Sequence, residues 1–339
     1  MKIPSADIVI DSNSVETKLQ QLINELLRVI QTQCSEGDVL PSVNTLSKEL
    51  NVSRDTVFKA YRELKNRNIV ASNPTKGYYV NHEINKVLLM LDYYSPFKDV
   101  VYREFEKNLD ASYSVDLVFH HYNRKIFDSV ILESNGRYSA YIIMNFDTQK
   151  FEISDILSKI DPQKVLLLDI PVENWKSFDK EKYNYIWQNF DTAVYKSFQE
   201  ISDRIKKYNV FHFLNPDKIK QPSTTIVAYK QFCSDFNIKS NIIKSSRDLN
   251  VSKGEAYFIL RQMDLYIILA QCKEKNLEVG KDVGILAYNE VPLYEFVSSG
   301  ITVISTDFRK MGHMAGQFVK ERKRTREILP AKTIIRNSL

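Results

Sequence analysis

The chain has 339 residues, 43% of them hydrophobic and 12% aromatic, which is too long for one small module and enough for two or three domains with substantial cores. Its net charge of +5 excludes a chromatin-like polycation, and its three widely spaced cysteines (Cys34, Cys233, Cys272) read as free thiols in a reducing compartment, with no CxxC metal spacing. The start, Met1-Lys2-Ile3-Pro4-Ser5, lacks the apolar run of a signal peptide and no stretch approaches a membrane span, so a cytoplasmic protein with no membrane partner is expected.

In chain order, a first helix is expected over residues 14–34, with Val15, Leu19, Leu22, Ile23, Leu26, Leu27 and Ile30 on one face. Pro41 and Ser42 are start signals for a second helix, because a serine hydroxyl satisfies orphan amides of the first turn. Val43, Leu46 and Leu50 then recur at helical spacing. Asn51 suits a tight turn, and Ser53 caps a third helix with Val57, Ala60, Tyr61 and Leu64 inside. Its outer side carries Arg54, Phe58, Lys59, Arg62 and Lys65. Two short capped helices around a tight turn make a helix-turn-helix, whose second helix enters the DNA major groove. Residues 69–72 and 78–80 read as two short strands around the turn Asn73-Pro74-Thr75-Lys76-Gly77. A lysine beside a glycine at a hairpin tip can approach the sugar-phosphate backbone closely. Local positive charge supports this, since Arg54, Lys59, Arg62, Lys65, Arg67 and Lys76 outnumber Asp55 and Glu63 across the segment.

The run Gly37-Asp38-Val39-Leu40-Pro41-Ser42, then residues 46–57, Ala60, Leu64 and Lys76-Gly77-Tyr78-Tyr79-Val80, resembles the GntR family of winged helix-turn-helix repressors. The resemblance implies that Arg54 reads a base, that Thr56 contacts a phosphate, and that Lys76 and Gly77 reach the minor groove. Many relatives carry arginines where this chain has Asn44 and Phe58, which implies a different operator. Phe58 suits a thymine methyl, and Asn44 suits a phosphate or a base edge. Asn68 stands where the family has a glycine and tolerates the left-handed conformation. The DNA-binding domain is thus expected over residues 1–80, with a polar linker at 81–86.

Beyond the linker, apolar runs at 87–91, 115–119, 140–144, 164–168, 210–214, 257–260 and 283–287 alternate with helical patterns, as in a doubly wound α/β domain with buried parallel strands. With nine glycines in the chain and no Gly-rich loop after a strand, a nucleotide-cofactor domain is disfavoured and no cofactor is expected. No GxSxG, HExxH or paired-carboxylate signature appears, and the pyridoxal-phosphate fusion known among GntR proteins lacks its lysine context here, so an enzyme is not expected. His120 and His121 have no neighbouring ligand in sequence, and no metal site is expected.

Residues 279–290, including Gly284-Ile285-Leu286-Ala287-Tyr288-Asn289, then 300–312 and the closing 334–339 resemble the sensor domain of LacI-type repressors and periplasmic sugar-binding proteins. The fold implied is α/β: an N-terminal winged helix-turn-helix plus a two-lobed periplasmic-binding-protein-like sensor over 87–339, the arrangement of the AraR-like branch. Lobe one is expected over about 87–207 and 306–328, lobe two over about 208–305 and 329–339, with crossovers near Tyr208, Ser305 and Leu329. Ligands in such folds bind beyond the carboxyl ends of strands. The candidates are therefore Tyr93, Tyr94, Asn145, Asp191, Arg261, Asn289 and Phe308. Asp191 and Asp307 are equally readable as helix caps, and Tyr93 and Phe308 as core aromatics. Arg261 departs from the family's Asn-Asp and suits a sugar acid or sugar phosphate. The second lobe has only Ser223, Thr224 and Thr225 where relatives clasp the ligand with arginine. The basic run 320–326 reads as the solvated end of a helix. The resemblance implies a homodimeric repressor of carbohydrate-utilisation genes, released from operator DNA by a monosaccharide or derivative; a ligand-activated activator or corepressor is the alternative.

Overall fold

The structure is a computed structural model and describes residues 8–11, 14–35, 37–67, 69–81, 86–111, 113–144, 156–169, 181–189, 192–215, 223–245 and 249–339. By their contacts the residues form two compact units. One is Met1–Met90 with Ala111–Ile142 and Ile153–Val165; the other is Leu91–Asp110 with Ile143–Glu152 and Leu166–Leu339.

The first unit opens with three helices, α1 (Lys18–Gln33), α2 (Val43–Glu49) and α3 (Arg54–Asn66). Each begins at a hydroxyl cap: Thr17, Ser42 and Ser53 accept from the amides of Gln20, Thr45 and Thr56. Leu22, Ile23, Leu26, Leu27 and Ile30 of α1 and Leu46 of α2 pack with Val57, Ala60, Tyr61 and Leu64 of α3 in one core. Val15 lies before the cap and is fully exposed, so the first helix starts later than its sequence pattern indicated. The strands β1 (Val70–Asn73) and β2 (Gly77–Val80) pair antiparallel, with Asn73 opposite Gly77. Gly77 has φ +76° at the start of β2, a conformation that costs a side-chain-bearing residue strain. Asn68 and residues 82–85 of the expected linker lie outside the described residues.

The remaining strands make two six-stranded sheets, among helices that include α5 (Arg124–Ser134), α8 (Ser223–Asp235) and α9 (Gln262–Glu274). The first has the order β13 (Arg326–Leu329), β7 (Asn184–Gln188), β6 (Val165–Leu168), β5 (Ala140–Met144), β3 (Lys86–Leu91), β4 (Ser114–Phe119). The second has the order β14 (Ala331–Ile334), β12 (Thr302–Thr306), β11 (Val283–Tyr288), β10 (Glu255–Ile259), β8 (Val210–Leu214), β9 (Ser240–Ile243). The described ladders of the second sheet are parallel except that β14 runs antiparallel to β12.

Its inner strands β10 and β11 are largely apolar because both faces are covered. Along β10, Ala256 and Phe258 enter a cluster with Phe198, Phe211, Phe213, Tyr229 and Phe232. Tyr257 and Ile259 enter another with Leu265, Ile268, Ile285 and Val303. The aromatic cluster includes Val194 and Phe198 of helix α6 (Thr192–Glu200) and Ile205 of the short α7 (Ser202–Ile205). The chain therefore leaves the first sheet between Gln188 and Thr192, earlier than the expected crossover near Tyr208. It returns after Thr306 into α10 (Phe308–Glu321) and passes from β13 to β14 at Pro330. Helix α10 packs on α4 (Pro96–Lys107), and the contact is close because Gly312 and Gly316 face it. A Cβ at Gly312 would stand 2.4 Å from the Val101 carbonyl oxygen. The basic run divides: α10 ends at Glu321, and Arg326 opens β13, pairing with Glu181.

Candidate DNA-binding and ligand-binding sites

In the N-terminal helices and hairpin the expected contact residues lie on α2, α3 and the strand turn. Asn44, Arg54, Lys59, Lys76 and Gly77 are exposed, and Phe58 is 48% exposed, unusual for so large an apolar ring. The Thr56 hydroxyl is hydrogen-bonded to that of Ser53 at 2.8 Å, so the two hydroxyls at the start of α3 act together. Lys59 is paired with Asp55 at 2.7 Å, both well solvated, while Arg54 has no ion pair among the described residues. Tyr61 fixes the frame. Its hydroxyl donates to the Pro41 carbonyl at 2.7 Å, and its ring meets that of Tyr78 in the hairpin at 4.5 Å.

In the second unit, polar groups gather beyond the carboxyl ends of the strands. Both sheets reverse their strand order, between β3 and β5 in the first and between β8 and β10 in the second. Such reversals open a crevice at the strand ends. Asp92 follows β3 and is fully buried against Lys98 of α4, whose ammonium donates to it and lies 3.9 Å from the centre of the Tyr93 ring. Burial pulls the Lys98 ammonium below its usual range, and Asp92 opposes that pull. Asp169 follows β6 with φ 49° and is 5% exposed. It accepts from Gln188 Nε2 at 2.6 Å, and Gln188 Oε1 accepts from the Thr306 hydroxyl at 2.9 Å. Burial pushes the Asp169 carboxyl up to about 7, while the Gln188 amide and Lys98 pull it down. Tyr288, at the end of β11, is buried within electrostatic reach of Asp169, and its hydroxyl has no hydrogen-bond partner among the described residues.

Of the expected ligand residues, Tyr93 belongs to this cluster and Asn289 adjoins it. Asn289 has φ 68°, its amide donates to the Ile304 carbonyl at 2.9 Å, and its buried Oδ1 has no partner among the described residues. Tyr94 is 64% exposed and close enough to Arg103 to influence it. Asn145 and Asp191 lie outside the described residues. Arg261, expected to neutralise an acidic ligand, instead grips buried Asp264 with two nitrogens, at 2.9 and 2.5 Å. Phe308 is buried against Phe97, ring centres 4.6 Å apart, and borders a cavity of about 390 Å³ shared with Glu290, Glu295, Thr306, Asp307 and Lys332. Asp307 caps α10, accepting from the Lys310 amide.

Sequence reasoning missed Asp92, Lys98, Asp169, Gln188 and Thr306. The strand-end rule, applied to the run ending at Leu168, would have found Asp169. Lys98 lies only six residues after Asp92, but an Asp and a Lys at that spacing across a strand-to-helix turn read as solvated charges until burial is known.

With this geometry in place, comparison with known proteins defines both parts. Residues 13–80 match the gntR family of bacterial regulatory proteins, and residues 230–339 match the periplasmic binding protein-like domain. The chain carries a DNA-binding domain of the gntR type joined to a periplasmic-binding-protein-like domain. An uncharacterized HTH-type transcriptional regulator of Bacillus subtilis, YcxD, is 39% identical over 64 residues, 19% of this chain and 14% of that relative. The trehalose repressor of Escherichia coli is similar over 74% of this chain and 100% of its own, at 12% identity and a TM-score of 0.61. A LacI family transcriptional regulator from Arthrobacter, in complex with lactose, is similar over 75% of this chain and 98% of its own, at 12% identity and a TM-score of 0.58. At these identities the solved structures establish the two-lobed fold. The gntR family is described as one of bacterial regulatory proteins, and the two similar structures are a repressor and a transcriptional regulator. Among the described residues no helix is long and apolar enough to cross a membrane.

Proposed function

We propose that the protein is a sequence-specific transcriptional regulator, a repressor released from its operator by a monosaccharide or sugar derivative held at the strand ends of the sensor. One observation carries the reading: a gntR-type DNA-binding domain shares the chain with a doubly wound domain whose strand-end side chains Asp169 and Asn289 both sit in left-handed backbone. Asn and Asp tolerate that backbone, and both side chains stand at the carboxyl ends of strands, where ligands bind in such folds. Arg54 would read a base, Phe58 a thymine methyl, and Asn44, Thr56, Lys59 and Lys76 the backbone or nearby edges. Tyr93, Asp169 and Asn289 would meet a sugar's C–H face and hydroxyls, and Asn145 and Asp191 are retained as further candidates. Because the Arg261 charge is spent on Asp264, a neutral hydroxyl-bearing ligand is favoured over a sugar acid or phosphate. Trehalose and lactose name the neighbouring regulators, which supports a carbohydrate without identifying it. A homodimer on a near-palindromic operator would double the few base contacts of one winged helix.

Thermal-shift measurements against neutral, acidic, amino and phosphorylated sugars identify the effector class. Titrating operator DNA with and without the stabilising sugar then reads the switch, with roughly 5- to 150-fold weaker binding expected for a coupling of about 1–3 kcal/mol. Tighter binding makes the sugar a corepressor, and no sugar-dependent shift in either assay ends the sensor reading.

A further inference from the structure

Gln188 is the last residue of β7, directly before the chain leaves the first sheet, and Thr306 is the last residue of β12, directly before it returns. The Gln188 side chain joins these two places and Asp169 in one chain of hydrogen bonds: amide nitrogen to carboxyl, threonine hydroxyl to amide oxygen. All three residues are buried, at 2, 3 and 5% exposure for Gln188, Thr306 and Asp169. We propose that Gln188 is a positioning residue whose amide orientation transmits the state of the Asp169 carboxyl to the Thr306 crossover.

The chemistry leaves the amide two orientations. An ionised carboxylate only accepts, so the amide nitrogen must face Asp169 and the amide oxygen must face Thr306, which then donates. A protonated Asp169 can donate to the amide oxygen. The amide then turns over, its nitrogen faces Thr306, and the threonine hydroxyl becomes the acceptor. The proton comes from solvent, and no other bond is made or broken. The charged and titratable groups facing Asp169 are Lys98 and Asp92, with the phenols of Tyr93 and Tyr288 beside them. Lys98 favours the ionised form, while Asp92 and burial favour the neutral one. Since burial pushes the carboxyl up to about 7, both forms are populated near neutral pH and a small free energy selects one. On the reading of the strand ends as an effector site, a ligand hydroxyl donating to Asp169 would hold it ionised, lock the amide and bias the hinge.

Protons serve as the probe, so the test does not depend on the identity of the effector. Full-length protein in a Trp175→Phe background is titrated between about pH 5.5 and 8.5 by the fluorescence of Trp187, which adjoins Gln188 in β7, and the midpoint assigned to Asp169 is the one lost in Asp169→Asn. In parallel, hydrogen exchange of the peptide spanning residues 302–310 is measured and corrected for intrinsic rates. We expect a fluorescence midpoint near 7 and a step in crossover protection at the same pH. Gln188→Met should shift the midpoint upward, by loss of the donor, and lose the protection step. Thr306→Val, nearly isosteric, should keep the midpoint and lose the step. Asp169→Asn should lose both. A wild-type crossover without a pH step, or a step that survives in Gln188→Met and Thr306→Val, overturns the proposal. Either result leaves the sugar-sensor reading standing, because thermal shifts decide that separately.

Discussion

Along α3 the outward side chains Arg54, Phe58, Lys59 and Arg62 stand in solvent, whereas none of Asp92, Lys98, Asp169, Gln188 and Thr306 is more than 5% exposed. An exposed charge keeps its hydration, so holding it costs little and a single pair such as Lys59 with Asp55 contributes below about 1 kcal/mol. A buried charge has lost its water, and the fold tolerates it only while its partners are in place. The two regions are thus held together by different means. The first sums many weak contacts and can be retuned one residue at a time. The second is a coupled set in which altering one member changes the state of the others.

The sharpest way to break that contrast is Lys98→Met. It removes one member of a buried pair and leaves Asp92 uncompensated, so unfolding by denaturant should show a loss of about 3–5 kcal/mol. A loss below 1 kcal/mol would put the cluster in the same class as the surface pairs.

Next in size is the pH response of Asp169. Its carboxyl is raised from 3.8 to about 7, so between those values the folded protein holds a proton that the unfolded chain has released. The associated stability is fully present below about pH 4 and is lost as pH rises to about 7, a change on the order of a few kcal/mol. Asp169→Asn should flatten that slope in denaturation curves recorded across this range. Stability that instead rises through the same window would make Asp169 a paired carboxylate.

On the DNA side, Arg54→Ala should weaken specific binding by roughly 1–3 kcal/mol and relax one base position per half-site. Lys76→Ala should weaken all sequences alike and reduce the salt slope by about 1. Equal losses on specific and random DNA for Arg54→Ala would remove it from base reading. The smallest effect belongs to Asp55→Ala, expected to change folding stability by less than about 1 kcal/mol while freeing Lys59 for a phosphate, which a filter-binding salt titration would register.

The same contrast explains what could be read in advance. Caps at Ser42 and Ser53, the inner face of α3 and the turn before Gly77 are set by residues within a turn or two of each other, so spacing reveals them. The strands β7 and β9 carry Asn184, Gln188, Ser240 and Asn241 and lack the apolar run that marks their neighbours. β13 was hidden in a basic run whose Arg326 is paired with Glu181, far away in sequence. The early departure to the second lobe was hidden too, because α6 looks the same whichever sheet it covers. Asp92 and Lys98 sit six residues apart in one strand-to-helix connection, but Asp169 and Thr306 come from two other segments, and only the sheet order brings the three together. Arg261 is ambiguous in sequence, because an arginine at a strand end looks the same whether it awaits an anion or already holds Asp264.

The single phenol of Tyr61 has a wider meaning for how this surface meets a double helix. Because it is tied both to Pro41, just ahead of α2, and to Tyr78 in the hairpin, the recognition helix, its supporting helix and the wing form one rigid tool. The angle between groove-reading helix and backbone-touching hairpin is therefore not adjustable at the DNA. A new operator sequence can be accommodated only by exchanging side chains on that tool. A change in half-site spacing must be absorbed elsewhere in the protein.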